Sequence, residues 1–388
     1  MQGKILVVDD EPDFAYLIEQ RFRKHIRNNE YHFSFAQDGM EALDLLDKNK
    51  DVDIVLTDIN MPKMNGLTLL EKINERYPHL KSVIITAYGD MKNIRTAFNR
   101  GAFDFITKPI DFEDLTITIN KTIRQARELK EAVSNRNQLV AINRELDIAR
   151  NIQQNMLPRS FPPFPDRKEF DIYAEMKPAK EVGGDLYDFF LIDDSRLGFC
   201  IGDVSGKGVP AALFMAMTKT LLKSTGMLGL SAGDVLKKVN RPLHIESTSS
   251  MYVTLCYGVI DLKTGELSFS HGGHNAFYLV KQSGDIRSVQ NNGGIPVSFL
   301  PHFDYPTSKI QLDDGDLILF YTDGVSEAMD TKENEFGEEN IETCLKSLER
   351  ITPQDTIQQI MQTIDTHTAG AEQFDDITML AIQYHPAQ

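Results

Sequence analysis

Between Phe112 and Leu157 the chain carries neither glycine nor proline, and four prolines then fall within residues 158–165. Glycine and proline are the residues that a helix interior tolerates least, so their joint absence over so long a run predicts helix. Leu115, Ile119, Ala126, Leu129 and Val133 recur at a three/four spacing. Leu139, Ile142, Leu146 and Ala149 resume it after a change of register, which supports one long helix or two in sequence, with the polar crowding at Ser134–Gln138 as the place for a break. One helix cannot bury such a stripe alone. A homodimer is therefore expected, with packing onto the chain's own domains as the alternative. The proline-rich stretch 157–166 must be a non-helical connector. These features divide the chain into residues 1–111, a helical linker 112–157 that also serves dimerisation and signalling, and a domain over 158–388.

Residues 1–110 alternate short apolar runs with helical patterns. Strands are expected at Lys4–Val8, before Asp58, at 82–87 and at 102–107, with helices at Pro12–Arg27, Gly39–Asp47 and Leu67–Arg76. Regular alternation predicts an α/β, doubly wound parallel sheet covered on both faces. Such sheets bind ligands beyond the carboxyl ends of their strands, where Asp9, Asp10, Asp58, Thr86 and Lys108 fall. Clustered carboxylates repel, so a pocket of them calls for a cation, and magnesium also accepts phosphate oxygens. Residues 170–383 mix hairpin-like strands with grouped helices, which predicts an α+β domain with layered sheets.

That second region has its own acidic positions: Asp185 in "EVGGDLYDFF", Asp203 in "IGDVSGKG", Asp323 in "FYTDGVSEAMD", and Asp375 with Asp376 in "QFDDITML". Each joins an apolar run near a glycine or turn. Taken singly they read as turn aspartates. Taken together they suit two divalent ions sharing a carboxylate, which would favour phosphoryl transfer to water. The Asp203 turn is not a nucleotide-binding P-loop, because glycine follows Lys207. His271 and His274, in "HGGHN", have metal-like spacing but are assigned to structure or to hydrogen bonding near the site. Glu327 and Asp330 read as loop residues.

"VVDDE", "LTDINMPKMNG", "IITAYG" and "FITKPI" resemble a response-regulator receiver domain. The resemblance implies that Asp58 is phosphorylated by a sensor histidine kinase or another phosphodonor. Asp9, Asp10, Asp58 and the carbonyl of Asn60 would hold Mg²⁺, Thr86 and Phe105 would form the switch, and Lys108 would contact the phosphoryl group. "IQQNMLP", "EVGGDLYDFF", "GDVSGKGVPAA", "GGHN", "FYTDGVSEA" and "FDDITML" resemble the sporulation and stress branch of the metal-dependent protein phosphatase 2C family. This implies a four-layer αββα domain that hydrolyses phosphoserine or phosphothreonine. Asp185 and Asp203 would hold one Mn²⁺ or Mg²⁺. Asp203 as bridge, the Val204 carbonyl, Asp323 and Asp375 would hold the other, with Asp376 able to exchange roles with Asp375. Lys207 is a candidate for contact with substrate phosphate. The substrate implied is a phosphorylated anti-sigma-factor antagonist. A non-enzymatic adaptor controlled by its receiver is the competing class, and the presence of all four ligand aspartates separates the two.

A formal net charge of -16 argues against a nucleic-acid partner. No apolar run approaches a membrane span, and the amino terminus is unlike a signal peptide. Three widely spaced cysteines, Cys200, Cys256 and Cys344, suit a reducing interior, and a cytoplasmic location is expected.

Overall fold

The computed structural model describes residues 2–87, 90–247, 251–290, 293–348 and 351–386, so Tyr88 and Gly89 of the "IITAYG" motif lie outside the described residues. The chain divides into two compact units, Met1–Ile142 and Asn143–Gln388.

The first unit runs β1 (Gly3–Val8), α1 (Pro12–Arg21), α2 (Arg23–Arg27), β2 (Tyr31–Ala36), α3 (Gly39–Lys48), β3 (Ile54–Asp58), α4 (Gly66–Arg76), β4 (Lys81–Ala87), α5 (Met91–Asn99) and β5 (Asp104–Lys108). Its five strands pair in parallel in the order β2-β1-β3-β4-β5, a doubly wound sheet. β1 buries Ile5–Val8 and β3 buries Ile54–Leu56 as unbroken apolar runs, as a sheet covered on both faces requires. Two expectations are corrected here. The helix read as Pro12–Arg27 is two helices, divided at Phe22, whose buried ring closes the first of them. The strand Tyr31–Ala36 was not expected, because His32 and Ser34 interrupt its apolar run on what is an edge strand.

The segment α6 (Phe112–Met156) is one continuous helix, so of the two readings the single long helix holds, without a break at Ser134–Gln138. Its polar residues there are all exposed, and hydrophilic side chains on a solvated helix cost little without glycine or proline to interrupt it. Leu115, Ile119, Ile123 and Ala126 pack into the core of the first unit. Farther along, Leu139, Val140, Ile142, Ile148 and Ile152 are each more than half exposed.

The second unit continues with β6 (Phe170–Lys177), β7 (Leu186–Asp193), β8 (Arg196–Val204), α7 (Val209–Gly226), α8 (Ala232–Glu246), β9 (Val253–Asp261), β10 (Glu266–Gly272), β11 (Phe277–Val280), β12 (Ile286–Val289), β13 (Ser308–Gln311), β14 (Leu317–Tyr321), α9 (Asp323–Ser326), α10 (Gly337–Lys346), α11 (Pro353–His367) and β15 (Ile377–Tyr384). Two antiparallel sheets result, ordered β13-β10-β9-β8-β7 and β12-β11-β14-β15-β6. Their facing sides share an aromatic core in which Phe320 stands 4.5 Å from Phe277 and 5.0 Å from Phe199, between ring centroids. α7 and α8 cover the outer face of the first sheet, and α10 and α11 that of the second. These are the four αββα layers. Period-two strands with both faces apolar explain them, since each sheet is buried on both sides.

Candidate functional site

In the first unit, the carboxyl ends of β1, β3 and β5 bring three charged side chains together. Lys108 Nζ donates to Asp58 Oδ2 at 2.5 Å and to Asp9 Oδ2 at 3.3 Å. Asp58 Oδ1 accepts from the Asn60 N–H at 3.2 Å, and Asp9 Oδ1 from the Glu11 N–H at 2.9 Å. Burial pushes the Asp9 carboxyl above its ordinary range, against the pull of Lys108. Burial opposes the charge on Lys108, yet its contacts with Asp58 and then Asp9 hold its pKa above the usual lysine value. Thr86 is buried at the end of β4, next to β5, and Asp10 is exposed. Phe105 is half-buried and meets Phe98 edge-on at 5.9 Å. An anionic pocket with one lysine and an exposed carboxylate can accept a divalent cation through oxygen ligands.

In the second unit, four chain segments deliver carboxylates to one end of the sandwich. Asp185 precedes β7, Asp203 lies near the end of β8, Asp323 opens α9 after β14, and Asp375 and Asp376 precede β15. Asp185 is buried, and Thr322 Oγ1 donates to its Oδ2 at 2.8 Å. Burial, then Asp203, then Asp376, holds its pKa well above the carboxylate range. Asp203 is pushed up to about 7 by burial and next by Asp323, with a hydrogen bond from Asp185 pulling the other way. Asp323 is raised by burial and then by Asp375. These carboxylates therefore sense one another. Such repulsion is what hard cations relieve, and every side-chain donor in the group is an oxygen, so the residues fit Mg²⁺ or Mn²⁺. Among the described residues, no three His, Cys, Asp or Glu side chains are drawn together into a finished ligand set.

Main-chain shape sets the approach. The turn from β8 to α7 passes through Gly206 and Gly208 at φ of +90° and +78°, where other residues would be strained. A side chain at Gly183 would strike Asp376 Oδ2 at 2.1 Å, and one at Gly184 the Val204 carbonyl at 2.8 Å. The Gly-Gly pair thus seats Asp185 beside Val204.

Asp375 and Asp376 differ. Both oxygens of Asp376 accept main-chain N–H groups, from Ala179 and Gly184, each at 2.8 Å. Asp375 turns its Oδ2 to Lys207 Nζ at 2.9 Å instead. Asp376 therefore holds the Gly183–Gly184 loop in place, whereas among the described residues the Asp375 side chain accepts only the neighbouring Asp376 N–H, at Oδ1 and 2.9 Å, besides its lysine. His271 and His274 are buried, and burial lowers their pKa values to about 4 and about 3. His271 stacks on Phe277, and His274 Nδ1 lies 3.2 Å from Thr254 Oγ1. Glu327 is raised by burial and then by Asp323, while Asp330 binds the main chain of its own turn.

Two features escaped the sequence reading. Gln153, at the end of α6, exchanges both amide hydrogen bonds with Gly183: its Nε2 donates to the carbonyl at 2.6 Å and its Oε1 accepts from the N–H at 3.1 Å. Arg150 adds a bond from Nε to the Glu181 carbonyl at 2.8 Å. Buried Asp188 of β7 pairs with Lys219 of α7 at 2.6 Å. A glutamine inside a motif and a lysine on a helix face carry no local signal of such partners.

The family profile "Response regulator receiver domain" matches residues 5–120, and "Stage II sporulation protein E (SpoIIE)" matches residues 193–385. "Protein IcfG" of Synechocystis sp. is 31% identical over 66% of this chain and 43% of its own length. "Phosphoserine phosphatase RsbU" of Bacillus subtilis is 31% identical over 48% of this chain and 54% of its own length. The chain thus spans about half the length of these curated relatives. The SiaA-PP2C domain of Pseudomonas aeruginosa shares the fold, with a TM-score of 0.55 at 18% identity, covering 65% of this chain and 98% of that domain. The chain belongs to the response-regulator receiver family in its first unit and to the SpoIIE-type protein phosphatase 2C family in its second.

Proposed function

We propose that this protein is a divalent-metal-dependent serine/threonine phosphoprotein phosphatase whose rate is set by phosphorylation of Asp58. The observation that carries the reading is the convergence of Asp185, Asp203, Asp323 and Asp375 from four chain segments, with burial and mutual repulsion raising three of them. Asp185 and Asp203 would hold one Mn²⁺ or Mg²⁺, and Asp203, the Val204 carbonyl, Asp323 and Asp375 the other. Such ions supply an activated water and neutralise charge on a phosphoryl group in transfer. The chain's own part is to bind and orient. Thr322 fixes the Asp185 carboxylate, Asp376 fixes the glycine loop, and the Ser205–Gly208 turn keeps main chain close to the carboxylates. The substrate proposed is a phosphorylated anti-sigma-factor antagonist. The name of the relative RsbU, a phosphoserine phosphatase, supports phosphoserine as the group removed. An adaptor without activity would not need this carboxylate set.

In the first unit, Asp58 would take a phosphoryl group from a sensor histidine kinase or a small phosphodonor, with Mg²⁺ held by Asp9, Asp10, Asp58 and the Asn60 carbonyl. Lys108 already bridges Asp58 and Asp9, and would follow the new charge. Thr86 and Phe105 would relay it. Beryllofluoride is expected to change the phosphatase rate of the full chain, most simply upward, and to have no effect on D58N. An unaltered response in D58N removes Asp58 as the control point.

The end of α6 offers the route into the site, since Gln153 grips the loop that carries Asp185. Gln153→Ala, which removes two buried hydrogen bonds, is expected to lower kcat by about tenfold (about 1.4 kcal/mol) with little change in KM. Steady-state rates on a phosphoserine protein check this.

Homodimerisation through α6 is proposed on its exposed Leu139, Val140, Ile142, Ile148 and Ile152, because apolar burial yields about 25 cal/mol per Å². Sedimentation velocity at tens of micromolar is expected to show a dimer in at least the phosphorylated state, and Ile142→Glu to weaken it. A monomer in both states contradicts it.

A further inference from the structure

Lys207 is held by three groups of one short segment. Its Nζ stands 2.9 Å from Asp375 Oδ2, donates to the Phe374 carbonyl at 2.6 Å, and lies 3.9 Å from the centroid of the Phe374 ring. That ring is 68% exposed, so its contact with the ammonium is not a by-product of core packing. The lysine also weighs on Asp323 and Glu327, on each of which it opposes the larger effect of burial. Its flanking glycines have open space around them: a side chain at Gly206 or Gly208 would meet nothing within 4 Å. The lysine thus sits on an open turn, while its charge rests on a carboxylate proposed to bind a divalent ion.

We propose, resting on the two-ion reading above, that Lys207 is a tethered counter-cation that competes with the second divalent ion for Asp375. A carboxylate oxygen in a charge-assisted hydrogen bond to an ammonium must give that bond up before it can ligate. Because the lysine is tethered, it returns at high effective concentration whenever the ion leaves. Phe374 strengthens the hold through its ring face and its carbonyl. Lys207 thereby sets the divalent concentration at which the Asp323–Asp375 side fills.

Binding of Mn²⁺ to the full chain, read by calorimetry and by the electron paramagnetic resonance of free Mn²⁺, tests this without reference to turnover. Removing a partly exposed, charge-assisted contact in K207Q is expected to tighten the Asp375-dependent Mn²⁺ site about fivefold to tenfold. F374L leaves every charge in place and removes the ring face, so it is expected to tighten the same site about twofold to threefold. K207R, which retains a cation, is expected to stay near the native value. A K207Q isotherm that superimposes on the native one overturns the proposal. Tightening in K207Q with none in F374L reduces the effect to net charge, and overturns it too. If D203N and D375N also leave the native isotherm unchanged, the two-ion reading itself fails, a result separate from failure of the lysine's role alone.

Discussion

Asp203→Asn is expected to lower Mn²⁺-dependent phosphate release from a phosphoserine protein by about 10³-fold or more. Asp203 stands between the other carboxylates: Asp323, Asp375 and Asp376 all act on it, and Asp185 hydrogen-bonds to it. In the proposed arrangement it is the carboxylate that would bridge the two ions. Charge stabilisation by such ions is worth several kcal/mol, and each 1.4 kcal/mol is a factor of ten in rate. Asparagine keeps the size and one oxygen but removes the charge that the bridge needs. Because the substitution relieves repulsion in a crowded anionic site, the protein without metal should be no less stable than the native one. Loss of activity together with an unchanged melting temperature would locate the defect in chemistry; full activity in purified D203N would remove the assignment.

Lys219→Met is expected to have the largest effect on stability. Asp188 is only 1% exposed, and its ion pair with Lys219 at 2.6 Å ties β7, just after Asp185, to α7, just after the Asp203 turn. Breaking a buried pair by removing one partner costs about 3–5 kcal/mol, because the other charge stays buried. Lys223, 3.7 Å from the same oxygen, offsets part of this and places the expectation at the lower end, about 3 kcal/mol. For a unit of this size that is a fall of about 6–12 °C in the melting temperature of the second unit by calorimetry. The double change D188L/K219M removes both charges and is expected to recover much of the loss. A single K219M variant that melts with the native protein would show that the pair contributes nothing.

The sequence was most legible where a local pattern and a structural need coincide. Alternating strands and helices in residues 1–110 pointed to the parallel sheet, and the apolar runs leading to Asp9, Asp58, Asp203 and Asp323 located strand ends to within a residue or two, because apolar runs mark what the sheet buries. The edge strand Tyr31–Ala36 was hidden because His32 and Ser34 interrupt its apolar run and only its two end residues are fully buried. The change of register near Ser134–Gln138 left one helix or two open, because an apolar stripe reports what is buried and not where a helix ends; with neither glycine nor proline there, the helix runs on. Asp375 and Asp376 were equivalent in sequence and became distinct only when the fold placed two main-chain N–H groups on the second. Gln153 and Lys219 could not have been found at all, since their partners lie 30 and 31 residues away.

The measurement that bears most directly on the account is phosphate release from a phosphoserine-bearing anti-sigma-factor antagonist by the full chain, titrated with Mn²⁺ with and without beryllofluoride. The expected rate rises with Mn²⁺, vanishes with chelator, and shifts with beryllofluoride in the native protein but not in D58N. Release that is indifferent to chelator, or no release at any Mn²⁺ concentration in either receiver state, would contradict it.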